Sequence, residues 1–306
     1  MKTALKSKKT LAISALVGSS VIWGIATPIL KLTLQSIPPF TLAYLRFVIA
    51  LIVVMPIFFL KGHWKKIIAN DLKQIFLAGI LGITLNIGLL FLGASFTSGV
   101  HISILMSTVP AFTVLAAVFF LKEKIKLQVI IGIIVSFVGA IIIIGQPLFK
   151  HQPQSEMAII GDILILGSVI AWALYTIVNK EIAIKYQPIT ILPVIFLIGA
   201  ISFLPLALWE FIKNPFWINT ISNVAIFGII YYGLLCSIVA YFLFTWGLTY
   251  ASASFAGIET YLIPLISLPA SSIILNEKID IFFIVGCFFV ILGLIICELR
   301  KLVKKL

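Results

Sequence analysis

The chain is a succession of apolar stretches, each about as long as a bilayer's hydrocarbon core is thick, joined by short polar loops. A helix needs ~20 apolar residues to cross ~30 Å of hydrocarbon. Inside lipid every backbone N–H and C=O must be bonded within the protein, so such stretches are either helices or strands of a closed barrel. Barrel strands alternate apolar and polar residues. Runs such as "GIIVSFVGAIIII" are apolar on every face, and so read as helices. The pattern predicts an all-α integral membrane protein with ten transmembrane helices, over about 11–34, 40–60, 73–93, 97–121, 127–146, 159–181, 190–211, 223–247, 251–275 and 280–298. Of the 306 residues, 62% are hydrophobic and 10% charged, which leaves no length for a separate soluble domain.

The net charge of +12 raises the question of nucleic acid, but its placement answers it. Lys2, Lys6, Lys8 and Lys9 precede the first helix, and Lys61, Lys65, Lys66 and Lys73 lie between the second and third. Lys122, Lys124 and Lys126 follow the fourth helix, Lys180 and Lys185 the sixth, and Arg300, Lys301, Lys304 and Lys305 form the tail. The opposite loops hold Lys150, Lys213 and Lys278. This is the positive-inside asymmetry, and it predicts that both termini are cytoplasmic. The first apolar run mimics a signal peptide but exceeds a signal core in length, and we expect it to be retained. Cys236, Cys287 and Cys297 fall inside predicted helices, without metal-ligand spacing or a disulfide framework, so no cofactor or metal is expected.

The two halves repeat. "WGIATPILK" (23–31) matches "WALYTIVNK" (172–180), and "PPFT" (38–41) matches "QPIT" (187–190), both 149 residues apart, as are Pro56 and Pro205. "LKEKI" (121–125) matches "LNEKI" (275–279) at 154 residues, as do Pro110 with Pro264, Gly132 with Gly286 and Gly139 with Gly293. We therefore divide the chain into repeats of five helices, 1–149 and 150–306. Five is odd, so the second repeat enters the membrane inverted, the design of alternating-access transporters.

The ordered set resembles the drug/metabolite transporter superfamily, specifically its EamA branch. The resemblance covers about 12–145 and 159–298. It rests on "WG" with a later Pro and Lys, on "LRF" (45–47), on "P-x-F-T" (110–113) leading to "FFLKEKI" (119–125), and on "YLIP" (261–264) leading to "IILNEKI" (273–279). It implies a multi-pass protein of the bacterial cytoplasmic membrane that exports or takes up small metabolites such as amino acids, nucleosides, cofactors or drug-like cations. It also implies an apolar or small residue where this chain has Glu259.

Glu259 lies eight residues into the ninth predicted helix, ~12 Å deep, where a charge costs at least ~2.5 kcal/mol and usually faces a cavity. Its counterpart in the first repeat is Leu105. Two roles fit it: holding a substrate ammonium group when ionised, or carrying a coupling proton. The alternative is a structural ion pair. Trp172, Tyr175, Thr176 and Asn179 share one face of the sixth helix, and Trp23, Thr27 and Lys31 the equivalent face of the first. These stripes suit cavity lining and interhelical hydrogen bonding equally. Arg46, ~9 Å deep in the second helix, reads first as structural and second as a contact for a substrate carboxylate. Asn86, His101, Tyr241, Trp246 and Tyr261 complete the candidate set; Tyr241, Trp246 and Tyr261 would offer aromatic surface to an apolar or cationic ligand. Glu123 and Glu277 read as local caps or pairs without transport chemistry.

The leading expectation is a secondary transporter of a small polar metabolite, an amino acid or related compound, with export and antiport implied by the resemblance and the proton as a candidate coupling ion. Its partners would be that substrate and membrane lipids, not nucleic acid. No G-x-x-x-x-G-K-[ST] occurs, so the chain carries no ATPase of its own. A membrane-embedded enzyme would need a metal or nucleophile constellation that His63, His101 and His151 do not make. A lipid scramblase would need a polar groove open to lipid.

Overall fold

The computed structural model describes residues 2–97, 99–123, 127–145 and 156–275, with short pieces between 281 and 296. The predicted tenth helix, 280–298, falls largely outside the described residues, as do Lys150 and the tail. Among the described residues the protein is helical and has no strand. Seven stretches are long and apolar enough to span a membrane, and 109–121 and 127–139 form shorter apolar helices.

The first repeat runs α1 (Lys2–Thr33), α2 (Pro39–Leu60), α3 (Leu72–Gly79), a π-helical stretch Ile80–Leu85, α4 (Asn86–Phe96), α5 (Gly99–Met106), α6 (Val109–Leu121) and α7 (Leu127–Gly145). The second runs α8 (Glu156–Lys185), α9 (Pro188–Lys213), α10 (Asn223–Ile230), a π-helical stretch Tyr231–Ala240, α11 (Tyr241–Tyr250), α12 (Ala253–Glu259) and α13 (Leu262–Leu275). Prolines begin α2 and α9, at a position where the missing N–H costs nothing. The free N–H groups at the start of α2 find a distant partner: Glu210 accepts from Phe40 N at 3.1 Å and from Thr41 N at 2.7 Å.

Two predicted helices are broken. The fourth divides into α5 and α6 at Ser107–Thr108, and the ninth into α12 and α13 at Thr260–Tyr261. The breaks stand at equivalent places in the repeats, just before Pro110 and Pro264. Each proline removes a backbone donor, and a threonine hydroxyl turns back on the chain: Thr108 Oγ1 donates to Leu105 O at 2.6 Å and Thr260 Oγ1 to Gly257 O at 2.5 Å. The π-helical stretches also correspond.

Packing between the halves is reciprocal and keeps the two offsets found in the sequence. A methyl on Gly79 would meet Ile198, and one on Gly233 would meet Ile49, each at 2.7 Å. Gly93 lies against Gly161 and Ile165, and Gly247 against Ala12 and Leu16, their equivalents. Two pairs of equivalent aromatics touch each other, Trp23 with Trp172 at 5.1 Å and Phe47 with Phe196 at 5.7 Å between ring centres. Within each half one lysine closes the end of a helix. Lys31 Nζ donates to Ala94 O and Thr97 O, and Lys180 Nζ to Leu248 O and Ala251 O. Positive side chains belong at such C-terminal carbonyls.

The ends of the helices sort into two sets. At one end, Lys185 Nζ lies 2.8 Å from Asp71 Oδ1, joining the α2–α3 and α8–α9 connections. At the other, Thr97 Oγ1 donates to Asp162 Oδ1 at 2.6 Å. Large apolar side chains such as Ile52, Phe59, Phe119, Ile201 and Phe227 point outward, whereas Asn86, Ser168, Thr176, Asn179 and Ser237 are buried. This is the distribution expected of helices surrounded by lipid.

Two outcomes follow. Gly93→Ala sets a methyl 2.8 Å from the Gly161 carbonyl oxygen, a backbone atom that cannot swing aside. Thermal unfolding in detergent should show a loss of ~1–3 kcal/mol. Gly167→Ala, which meets only the end of the Leu89 side chain, should be tolerated far better. Secondly, the hydrogen bonds from Lys185 and then Tyr186 hold the Asp71 carboxyl below its usual range. The stability gained is present above the ordinary value of 3.8 and is lost as pH falls through the lowered one. Asp71→Asn should flatten that acid limb of the melting profile.

Candidate functional site

A cavity of about 100 Å³ lies between the halves. Its walls come from α1, α4, α5 and α13, with Thr260 just before α13 and single residues from α2, α6, α8, the second π-helical stretch and α11. It holds several waters or a small metabolite, and is smaller than the roughly 300–1,000 Å³ of drug-sized sites. Ile102 and Met106 of α5 face Ile263, Pro264 and Ser267 of α13 across it. The matching pair of half-helices, α6 and α12, is closed. A methyl on Gly257 would stand 2.7 Å from Thr113 Cβ. Beyond the end of α6, Glu123 accepts from Ala253 N at 3.1 Å, Ser254 N at 3.4 Å and Ser254 Oγ at 2.5 Å. Ser267, the repeat equivalent of Thr113, lines the cavity instead. The cavity is therefore sealed at the α6–α12 end.

Aromatic surface comes from Trp23, Trp172, Tyr232 and Tyr241, and polar surface from Thr27, Asn86, Thr260 and Ser267. The π-helical stretches fix several of these groups. Their wider turns leave carbonyls available to side chains. Trp23 Nε1 donates to Cys236 O at 3.3 Å, and Tyr241 OH to Gly82 O at 3.0 Å. Tyr232 OH donates to Ala26 O at 2.7 Å, and Asn86 Nδ2 to Ser168 O at 3.0 Å.

Arg46 brings the charge. It is 2% exposed and lines the cavity. Its Nε donates to Ser237 Oγ at 2.9 Å, and that hydroxyl donates to Tyr232 O within the π-helical turn. The guanidinium sits over Phe47, Tyr232 and Phe91, at 4.9, 5.0 and 5.6 Å from the ring centres. Three such contacts at roughly 0.5–2 kcal/mol each offset an insertion cost of ~2.5–3.5 kcal/mol. The rings can thus hold this cation in place without a carboxylate. Among the described residues, no Asp or Glu lines the cavity.

Of the sequence-selected residues, the fold gathers Trp23, Thr27, Arg46, Asn86, Trp172 and Tyr241 around the cavity. Others lie elsewhere. Tyr175 is buried against Gly82, Tyr241 and Phe244. Thr176 Oγ1 bonds back to Trp172 O, and Asn179 Nδ2 donates to Thr245 Oγ1. That stripe continues past the cavity toward Lys180, so only its first residue reaches the opening. Trp246 packs on Tyr250, and Tyr261 OH donates to Ile133 O. The side chain of His101 lies outside the described residues. Glu259, 5% exposed, ends α12 beside the Ser20 hydroxyl, and it is the next residue, Thr260, that lines the cavity. Sequence reasoning missed Tyr232, Thr260 and Ser267. The repeat carried a signal for Thr260, whose equivalent is Met106, also on the wall. Glu123, read as a local cap, instead caps a helix 130 residues away.

Comparison with known proteins agrees with this architecture. The model of the EamA-like transporter family matches twice, over residues 10–145 and 159–298. An uncharacterized transporter of Archaeoglobus fulgidus is 28% identical over 92% of this chain and 95% of its own. The uncharacterized transporter YetK of Bacillus subtilis is 29% identical over 95% of this chain and 86% of its own. A crystal structure with 15% identity shares the fold, with a TM-score of 0.72 over 94% of this chain and 98% of the other.

Glu123→Ala removes the acceptor from the first N–H groups of α12. Thermal unfolding should show a loss of ~0.5–2 kcal/mol, while Glu156→Ala, at an exposed helix start, should change little. Equal melting of Glu123→Ala and the parent would remove this closure from the account.

Proposed function

The chain belongs to the EamA-like transporter family of the drug/metabolite transporter superfamily, and on that premise we propose that it moves a small polar metabolite, in the size range of an amino acid, by alternating access. The observation carrying this reading is the cavity itself. It lies where two reciprocal halves meet, beside equivalent breaks in α5–α6 and α12–α13. Discontinuous helices at an inverted-repeat interface are how such transporters build a substrate site. Polar wall groups lie between helices rather than in a groove facing lipid, which favours a transporter over a scramblase.

The repeats, 1–149 and 150–306, are assigned opposite orientations, with both termini cytoplasmic. The loops carrying Lys61, Lys65, Lys66 and Lys185 then lie inside, as does the closed α6–α12 end, and the cavity belongs to an outward-facing state. Exchanging the conformations of the two halves would close α5 on α13 and release α12 from α6. Export is the direction we assign, following the family resemblance.

Glu259 is assigned the coupling proton. It is a buried carboxylate at the end of α12, the half-helix that must part from α6, and its repeat equivalent Leu105 cannot ionise. A charge that must be lost or gained as the helix moves ties protonation to the conformational change. In proteoliposomes, Glu259→Gln should still exchange substrate across the membrane while losing acceleration by an imposed pH gradient. Unaltered gradient-driven transport by the Gln variant would remove the proton from Glu259. Failure of any metabolite to be moved by the parent protein would remove the transporter reading itself.

A further inference from the structure

Resting on the transporter reading, we infer that the cavity takes a carboxylate, and that Arg46 is the group that reads it. The preferred ligand class is a small molecule with one carboxylate on an apolar or aromatic body.

Arg46 leaves part of its guanidinium unused. Its Nε is committed to Ser237 Oγ, and that hydroxyl to Tyr232 O. These two bonds fix the plane of the guanidinium. Among the described residues, its two terminal amino groups bond no protein group, and Arg46 forms no ion pair. The side chain is nevertheless 2% exposed and lines the cavity. A buried, oriented guanidinium with free donors presents a fork that matches the two oxygens of a carboxylate.

The repeat also sets Arg46 apart. Several contacts that hold the halves together recur at equivalent positions, as at Gly79 and Gly233. Arg46 and Ser237 do not recur: their equivalents are Ile195 and Ile83, both fully buried and apolar. Since two isoleucines serve the other half at these positions, the scaffold does not call for the polar pair. A feature confined to one half, open to the cavity, belongs to what the cavity binds.

Charge and shape point the same way. With no described Asp or Glu on the wall, a substrate amine would find repulsion from Arg46 and no counter-charge. A carboxylate would find one. The remaining wall, Trp23, Trp172 and Tyr241 among it, suits an apolar body. Removing an anion's water is then compensated by charge-assisted hydrogen bonds.

The test uses matched probes with the purified full chain in nanodiscs. The panel comprises the free amino acids and straight-chain and phenyl-substituted monocarboxylic acids of two to ten carbons, each with its amide and a matched amine: the decarboxylated amine for an amino acid, the primary amine of equal carbon number for a simple acid. Thermal shift and isothermal titration read binding. At least one acid should bind, its amide and amine should bind at least tenfold more weakly, and Arg46→Lys should weaken the acid at least tenfold while the protein remains monodisperse. Arg46→Met should abolish the preference for acid over amide. Binding of amides or amines as tight as their acids, undiminished acid binding by Arg46→Lys, or no binding by any acid would each overturn the inference. Counterflow in proteoliposomes separates the two readings. If an amine or amide is moved and no acid is, the transporter stands and the anion site falls. If an acid binds through Arg46 but is never moved, the site stands and the transporter reading falls.

Discussion

Hydrocarbon offers the backbone no hydrogen bonds, and the architecture follows from that constraint. An unbroken α-helix satisfies it alone. Every departure from one must be enclosed by protein or face a cavity. Among the described residues the spanning helices depart from it in four places, two π-helical stretches and two helix breaks, and in each half they fall at equivalent positions. Side chains supply what the backbone gives up. Tyr241 takes a carbonyl from the first π stretch, Trp23 and Ser237 take carbonyls from the second, and Thr108 and Thr260 turn back at the breaks. Of these, Trp23, Tyr241 and Thr260 line the cavity, so the irregular backbone and the candidate site adjoin each other.

Much of the scaffold was readable because lipid simplifies the code. Apolar length located seven spans among the described residues, and two constant offsets gave a register that several contacts keep: Lys31 and Lys180 close equivalent helix ends, and Gly79 and Gly233 receive equivalent isoleucines. The breaks were less visible. Pro110 and Pro264 show where a backbone donor is missing, but not whether the helix bends through the gap or divides. That depends on which group takes the freed carbonyl. The π-helical stretches have no local signature either, because their stability comes from partners as distant as Tyr241 is from Gly82.

The candidate site shows the same division. Trp23, Thr27, Arg46, Asn86, Trp172 and Tyr241 could be chosen because polar or aromatic groups at that depth need a reason. Periodicity placed Tyr175, Thr176 and Asn179 on the face of Trp172 but could not say how far along it the cavity extends. Depth likewise drew attention to Glu259, whereas the turn after it presents Thr260. The two ionisable groups thereby separate into distinct positions: Arg46 on the wall of the cavity, Glu259 at the end of the half-helix that closes one side of it. The proposed binding and coupling roles then fall to different residues on different helices.

The central claim is that α6 and α12 form a closure that opens when the halves exchange conformations. Spin labels at Lys122 and Ser252, both exposed and flanking the Glu123 contact, report on it directly. Double electron–electron resonance in nanodiscs should give a short separation in the state described, and a second, longer population when a transported compound is added. A single short separation that no transported compound changes would contradict the account.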